Sequence, residues 1–584
     1  MEYSFDVIGP KVNYSARILL WVGVLTTLAI NPWFAYDPIN LPKMLVMSTG
    51  AAFLFGSLAF GIKTSLRDKF FINAISILFL IALAISFLSN SAPWYQQLWG
   101  TWGRSTGLIT YFSFVVIMLA SANLASTELL SLTRIFFERL GYFTTLYTLI
   151  QLMDLDPISW SQKLMVATLG NINFMSSFLG LATISYFSRI LLENLSTSAK
   201  IYFTLISMLN AYLVLVSESI QGIAVFLTGA ALLISLFIRQ RFNFLKSMIL
   251  FSFLLVLGLL ILIGTAGIGP LLALRQETVI FRMDYWGAGL RMLAANPING
   301  IGIDSYGDYY RQYRDFEAVI RTGPQRVTNT AHNIFIDVFS NSGAVAGCLF
   351  FLILIIAFVS LLKGLKNQFI NADFKAIGAM WFGFLTFCLI SINQIGIGFW
   401  GFVFTGLLNG YANRPGEEIL SDKYSSSQGK PYRRTARVLG RHATNVKNSD
   451  VFKLNYYQVA VSSLLGIAMF LMSLVPNVVD ARFISAFRSQ NLDLAIRLIN
   501  YPGSQDFHTE QLINKLAQAG RNQESLALAI SLSQRNPQNW QAWVFIISNP
   551  VSTRNQQIDA AENLFRLDPK NELVRDEVNA FLNP

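Results

Sequence analysis

Long apolar runs alternate with short polar stretches along the first 476 residues of the chain. Thirteen of these runs are candidates for membrane-crossing helices, because one crossing needs about 20 predominantly apolar residues. They cover residues 15–35, 42–62, 70–89, 108–126, 140–153, 172–190, 201–217, 222–238, 247–267, 335–362, 376–393, 395–412 and 457–476. The fifth is the shortest, and Arg134, Glu138 and Arg139 interrupt the sequence upstream of it. The pattern predicts an all-α polytopic membrane protein of about 13 transmembrane helices.

Residues 477–584 follow a different pattern, polar and helical in period. Ala529 followed by Asn536-Pro537-Gln538-Asn539 aligns with Ala561 followed by Asp568-Pro569-Lys570-Asn571, at an offset of 32 residues, and Ala495 precedes Ala529 by 34. A period of this length, with a proline after the second helix of each pair, resembles tetratricopeptide repeats. We therefore expect a solenoid-like helical domain that offers a concave surface to a protein partner. The alternative is an irregular helical tail.

The composition agrees with a membrane protein. Of the 584 residues, 53% are hydrophobic and 13% are charged, whereas about 25% are charged in an ordinary soluble domain. So little charge cannot cover the surface of a soluble protein of this size, and so much apolar content excludes a disordered chain. Both cysteines, Cys348 and Cys388, lie inside apolar runs, which excludes a disulfide framework.

Basic residues in the connecting segments indicate the orientation. Lysine and arginine recur in every second loop, as the positive-inside rule requires of cytoplasmic loops. We therefore expect a cytoplasmic N-terminus. The predicted organisation is a membrane domain over 1–412, a basic cytoplasmic linker over 413–455, a last transmembrane helix over 456–476 and an extracytoplasmic helical domain over 477–584. Anionic lipid headgroups are a sufficient partner for the charge of the linker, so no nucleic-acid partner is expected.

The outer loop 268–334 is rich in arginine and contains no lysine. Its seven arginines are Arg275, Arg282, Arg291, Arg311, Arg314, Arg321 and Arg326. A guanidinium group binds phosphate or carboxylate through two parallel hydrogen bonds, which an ammonium group cannot do. An anion-binding site is one interpretation of this loop. The other is that its own acids neutralise it, since Glu277, Asp284, Asp304, Asp308, Asp315 and Glu317 nearly balance the arginines.

One of the three histidines, His332, closes this loop in the segment Thr330-Ala331-His332-Asn333. An imidazole at the membrane–water boundary can accept a proton near neutral pH, which makes His332 a candidate general base. The alternative is an ordinary surface or hydrogen-bonding histidine.

Two further outer segments hold candidate binding groups. Arg104 lies in the segment 99–107 among glycines that allow a ligand to approach the backbone, although an arginine snorkelling from an aromatic belt would give the same pattern. The hairpin at 217–222 contains Glu218 and Gln221, and ionisable groups near a membrane segment are often functional.

Metal-dependent and nucleotide-dependent chemistry has little support in the sequence. Asp154 and Asp156 could hold a divalent cation to a diphosphate, but the same residues are common in turns. The chain has no Gly-Lys-Ser/Thr phosphate loop, no dinucleotide fingerprint and no His-Glu-x-x-His motif. We expect no cofactor and no metal.

Together, these motifs resemble the O-antigen ligase and Wzy-type polysaccharide polymerase superfamily. The resemblance covers about residues 15–412. It is carried by Gly103-Arg104-Ser105-Thr106-Gly107, Gly170-Asn171-Ile172-Asn173, Arg282 with Trp286, Asn296-Pro297-Ile298-Asn299-Gly300-Ile301-Gly302 and Ala331-His332-Asn333.

The resemblance implies a metal-independent glycosyltransferase of the bacterial cytoplasmic (inner) membrane. Such enzymes transfer a glycan from an undecaprenyl-type diphosphate carrier to an acceptor glycan or lipid at the outer face, with inversion at the anomeric carbon. It makes His332 the base that activates the acceptor. Arg282 and Arg104 become diphosphate-binding groups, with Arg275 as a nearby candidate. Supporting roles fall to Asn333, Glu218 and Gln221, the last of which stands where many members have arginine.

Three other functions remain open at this stage. A protein O-oligosaccharyltransferase would differ only in its acceptor. A transporter or flippase of lipid-linked sugars should show internal repeats and charges near the bilayer midplane, whereas the polar groups here gather at the outer face. A scaffold that assembles partners through the solenoid would leave the arginine-rich loop unexplained.

Overall fold

A computed structural model describes residues 14–59, 70–160, 165–239, 243–265, 275–366, 370–414, 456–572, 575, 576 and 578. Across these residues the regular structure is entirely helical. The helices are α1 (Tyr14–Leu28), α2 (Asn40–Ala59), α3 (Phe70–Ser89), α4 (Trp94–Trp99), α5 (Leu108–Leu124), α6 (Thr127–Leu152), α7 (Ile172–Leu192), α8 (Thr197–Val216), α9 (Ile220–Ile238), α10 (Phe244–Thr265), α11 (Glu277–Ala295), α12 (Tyr306–Tyr313), α13 (Phe316–Thr322), α14 (Ile334–Lys366), α15 (Ala372–Ile390), α16 (Ile395–Ala412), α17 (Tyr456–Arg488), α18 (Leu492–Leu498), α19 (Asp506–Gln518), α20 (Asn522–Arg535), α21 (Trp540–Ser548) and α22 (Arg554–Leu567).

Ten helices within the described ranges are long and apolar enough to cross a membrane, namely α2, α3, α7 to α10 and α14 to α17. The prediction of an all-α, multi-pass membrane protein is thereby confirmed. The count of about 13 crossings is not confirmed, because α1 and α5 are shorter apolar helices and α6 carries charged residues in its interior.

The fifth apolar run differs from its prediction. Helix α6 begins at Thr127 rather than near residue 140, because Ser126 caps it by accepting a hydrogen bond from the Leu129 N–H at 3.0 Å. Arg134 is fully buried inside this helix, with ion pairs to Glu193 at 2.6 Å and Asp373 at 2.9 Å. Arg134 is therefore a paired charge that joins α6 to the end of α7 and to α15.

The membrane helices form a bundle with α16 at its centre. The 18-residue apolar window of α16 is buried throughout, whereas α8, α10 and α17 bury 17%, 19% and 22% of theirs and face outward. Close approach at the centre depends on small residues. A Cβ added to Gly406 or Gly410 would lie 2.1 Å from a carbonyl oxygen of α5, so the spacing of two glycines four residues apart lets α16 contact α5 directly.

Helix α14 is interrupted at Gly343, and the glycine-rich turn 296–302 packs against the interruption. Gly343 has a φ of 83°, and a Cβ there would lie 2.0 Å from the Ile298 oxygen. Around the break, the Ala344 N–H donates to Pro297 O at 2.7 Å, and the Gly302 N–H donates to Asn341 O at 3.0 Å. The turn is thus fixed against α14, about three helical turns beyond His332.

The C-terminal region continues directly from the last apolar helix. Helix α17 runs from Tyr456 to Arg488, so the predicted boundary at 476/477 falls inside one continuous helix. Helices α19 with α20 and α21 with α22 then pack as neighbouring pairs, and the aligned alanines Ala495, Ala529 and Ala561 are all fully buried. The similarity to tetratricopeptide repeats stays a prediction. Nearly all of the predicted linker, from 415 to 455, lies outside the described residues.

We call residues 477–572 the C-terminal module. This module is packed against the outer segments of the membrane domain. Arg314, at the end of α12, donates to both carboxylate oxygens of Asp568 at 3.1 and 2.5 Å, and Tyr95 in α4 donates to Asp506. The segment 99–107, helices α11 to α13 and the C-terminal module therefore lie together at one end of the bundle.

Candidate active site

His332 stands at the start of α14 in a strained backbone conformation. Its φ is 53°, in the left-handed region that residues other than glycine seldom adopt. The neighbouring residues hold it there: the Ala331 N–H donates to Asp337 Oδ1 at 2.7 Å, and Asn333 Oδ1 accepts from Phe335 N–H at 3.0 Å as the cap of α14. Strain of about 1–3 kcal/mol at one residue is typical of functional sites.

Arg104 lies beside this histidine with part of its hydrogen-bonding capacity unused. The residue is 9% exposed, and its Nη2 donates to Asn329 Oδ1. Its Nη1 is buried without a hydrogen-bond partner among the described residues. A buried guanidinium N–H without a partner is costly, so this group is suited to receive an anionic ligand.

Arg282, on α11, is the second arginine close to His332. It is half-buried and forms no hydrogen bond or ion pair with the part of the chain that the structure describes. Trp286, one turn later on α11, has a buried Nε1 that also has no hydrogen-bond partner among the described residues. Helix α11 thus carries a cation close to His332 that has no partner among the described residues.

The charges of both arginines act on His332. Burial, then Arg104 and then Arg282 lower the pKa of His332 from its ordinary 6.5 to about 3. The imidazole is therefore neutral at pH 7 and able to accept a proton. Because a bound anion would offset the two arginines, its arrival would raise the pKa of His332 and strengthen it as a base.

Most of the other outer arginines are already paired. Arg291 pairs with Asp315 at 2.9 Å, Arg321 with Asp284 at 2.5 Å, and both Arg311 and Arg314 with Asp568. Arg326 lies over the Phe281 ring at 4.9 Å. Part of the loop is thus neutralised by acids, including one from the C-terminal module. Arg275 is exposed just before α11 and is not among the charges that shift the pKa of His332; its binding role stays a prediction.

The hairpin between α8 and α9 is not joined to His332 by its hydrogen bonds. Glu218 is exposed with a φ of 55°, while Gln221 is buried and donates to Ile390 O at 3.2 Å. The Oε1 of Gln221 is buried without a partner in the described structure. The supporting roles of both residues stay predictions.

Two buried acids lie beside Arg104; the sequence singled out neither as a site residue, since Asp304 appeared only among the acids that balance the loop. Asp304 and Asp337 line a small recess together with Arg104, Thr330 and Asn393. Asp304 Oδ2 accepts from the Thr101 N–H at 2.8 Å; burial raises the pKa of Asp304, and Arg104 opposes this. The signal that could have revealed Asp304 is its place directly after the glycine-rich turn 296–302.

Asp156, one of the two acids considered for metal binding, is used within its own loop. Asp156 accepts hydrogen bonds from Tyr147, Gln151 and Trp160 and from the Ile158 N–H, so its carboxylate braces its own loop. No group of three or more potential metal ligands occurs among the described residues.

Comparison with known proteins shows a similarity over the middle of the chain. Residues 205–352 match the family model described as O-antigen ligase. The matched range runs from α8 into α14 and includes Arg282 and His332, but it excludes Arg104 and the C-terminal module. No curated protein matches the chain. The match supports a membrane glycosyltransferase-like function in polysaccharide biosynthesis, and it shows that residues 205–352 are similar to the O-antigen ligase domain.

Proposed function

We propose that the protein transfers or polymerises an oligosaccharide from a polyprenyl diphosphate carrier onto an acceptor hydroxyl at the outer face of the cytoplasmic membrane. The observation that carries the proposal is a neutral histidine beside two arginines. Among the described residues, one arginine has no hydrogen-bond partner and the other has an unpartnered Nη1. The arginines of such a site can bind an anion, and its histidine can take a proton from a bound hydroxyl group.

The proposed reaction uses each of these groups once. His332 takes the proton of the acceptor hydroxyl, and the acceptor oxygen forms a bond to the anomeric carbon as the bond to the diphosphate breaks. Arg104 and Arg282 stabilise the charge that develops on the departing diphosphate. A diphosphate is already a good leaving group, so arginines and one base suffice without a metal. Attack opposite the leaving group inverts the anomeric carbon.

The location of the site also favours a lipid-linked donor. His332 immediately precedes α14, one of the apolar helices long enough to cross a membrane. A donor anchored by a polyprenyl chain would present its diphosphate at the membrane boundary, where these residues lie. Under the proposed orientation this boundary is the outer one, and the N-terminus is cytoplasmic.

Purified protein tests the proposal against the flippase alternative. The protein is incubated with its acceptor and with lipid-linked glycan extracted from cells that make this glycan, in the presence of EDTA. It should release polyprenyl diphosphate and extend the acceptor. Movement of the donor across a vesicle membrane without cleavage of the diphosphate bond would indicate a flippase. Inhibition by EDTA that a divalent cation reverses would contradict the metal-independent mechanism.

The glycan profile of a deletion strain distinguishes the acceptors. Loss of long chains with single units retained would indicate a polymerase, and full chains left on the carrier would indicate a ligase. Unchanged surface polysaccharide with unglycosylated protein would indicate a protein O-oligosaccharyltransferase.

A further inference from the structure

The first turn of α19 contacts the segment that carries Arg104. Gln505, just before the helix, donates from Nε2 to Gly100 O at 3.0 Å. Phe507 stacks on Trp102 with ring centroids 3.6 Å apart and planes inclined by 8°. These two contacts reach across more than 400 positions of sequence, and they touch the segment 99–107 four and two residues before Arg104.

Asp480, on α17, joins the same segment to the rest of the structure. It is fully buried. Its Oδ1 accepts from Trp102 Nε1 at 3.4 Å and lies 2.9 Å from His508 Nε2. Its Oδ2 accepts from the Tyr36 N–H at 2.6 Å. Because His508 Nδ1 accepts from the Gln505 N–H at 3.1 Å, a neutral His508 carries its proton on Nε2 and donates to Asp480.

The segment 99–107 is held from its other side by the membrane domain. Asp304 accepts from the Thr101 N–H, and Asn40 Nδ2 donates to Gly103 O at 2.8 Å. Gly100 and Gly103 have φ values of 92° and 77°, where the backbone has wide freedom. A glycine-rich segment of this kind keeps one conformation only if its surroundings fix it on both sides.

We propose that Gln505, Phe507 and Asp480 are positioning residues for Arg104. They hold the segment 99–107 so that the Arg104 guanidinium faces the donor diphosphate. The C-terminal module is thereby an integral part of the donor site, in addition to any protein partner that it binds. This inference rests on the proposed function, because it takes Arg104 to be a diphosphate-binding group.

A double-mutant cycle in the full chain tests the proposal, with purified protein and undecaprenyl diphosphate as the probe. Phe507→Leu removes the stacked ring and should weaken binding about tenfold, the value of one hydrogen bond to a charged group. Phe507→Tyr keeps the ring and should bind as the unaltered protein does. In the Arg104→Lys background, Phe507→Leu should add little, since the residue through which it acts is already altered.

A second variant separates positioning from loss of folding. Gln505→Glu keeps a side-chain oxygen that can cap α19 but replaces the donor to Gly100 O with an acceptor, so it should also weaken binding. Arg521→Gln is the matched control, since Arg521 pairs with Asp493 and Glu524 within the C-terminal module. It should leave binding unchanged.

The outcomes separate this inference from the proposed function. If Arg104→Lys binds undecaprenyl diphosphate as the unaltered protein does, the diphosphate-binding role of Arg104 is wrong, and the positioning role falls with it. If Arg104→Lys is impaired but Phe507→Leu costs the same factor in both backgrounds, only the positioning role is wrong. Full binding in both Phe507→Leu and Gln505→Glu would overturn it as well.

Discussion

The low pKa of His332 can be measured without any knowledge of the glycan. Burial and two arginines lower it to about 3, against about 6.5 for an ordinary histidine. At pH 5 an ordinary histidine is about 97% protonated, whereas His332 would be about 1% protonated. Diethyl pyrocarbonate reacts with neutral imidazole, and peptide mass spectrometry can follow each histidine in the purified protein separately.

The perturbation is Arg104→Gln, which removes one of the two charges. In the unaltered protein, the rate of His332 modification should be independent of pH between 5 and 7, since the reactive form is fully populated throughout. In Arg104→Gln the pKa of His332 should rise toward its ordinary value, because one of the two charges that lower it is gone. Inorganic diphosphate should raise it in the unaltered protein by the same electrostatic route.

The sign of the effect makes the test sharp. Lowering the pH protonates the imidazole and slows modification, so a raised pKa appears as loss of reactivity at a higher pH. A midpoint near 6.5 in the unaltered protein would refute the reasoning, because it would mean that neither burial nor the arginines act on His332. An identical midpoint in Arg104→Gln would remove Arg104 from the site.

Three further predictions concern single residues. Arg282→Lys keeps the charge but loses the planar guanidinium, so transfer should fall severely at a normal protein level. Arg321→Lys is the control, because Arg321 is paired with Asp284, and this variant should transfer normally. Asp568→Asn should lower the midpoint of thermal unfolding, because removing one partner of a buried ion pair costs about 3–5 kcal/mol, and an unchanged midpoint would show that the pair with Arg314 contributes nothing. Asp337→Asn should slow transfer more than it weakens undecaprenyl diphosphate binding, since Asp337 fixes the backbone at Ala331 beside His332; equal losses in both measurements would contradict this role.

The membrane helices were the most predictable part of the fold. Their apolar runs are long and local in sequence, and most of the predicted runs correspond to observed helices. The start of α6 was not predictable, because the buried charge of Arg134 is compensated by Glu193, directly after α7, and by Asp373 on α15. A charge looks like a loop residue until its distant partners are known.

The proximity of three candidate residues was predictable from the sequence, but the electrostatics of the site were not. The motifs grouped His332, Arg282 and Arg104, and in the structure both arginines lie close enough to His332 to lower its pKa; their roles stay predictions. Composition could not separate paired arginines from unpaired ones, since Arg314 is neutralised by Asp568, 254 positions away. Contact between the C-terminal module and the segment 99–107 was equally hidden, because both sequences are compatible with independent units.

The most direct test of the account is single-turnover transfer by His332→Gln. The account predicts that this variant binds undecaprenyl diphosphate normally, because both arginines remain, while transfer from the lipid-linked donor falls by about 10²–10⁴-fold, the usual contribution of general-base catalysis. Glutamine keeps a hydrogen-bonding group but cannot take the proton of the acceptor. Substantial transfer by His332→Gln would contradict the central claim that His332 is the base.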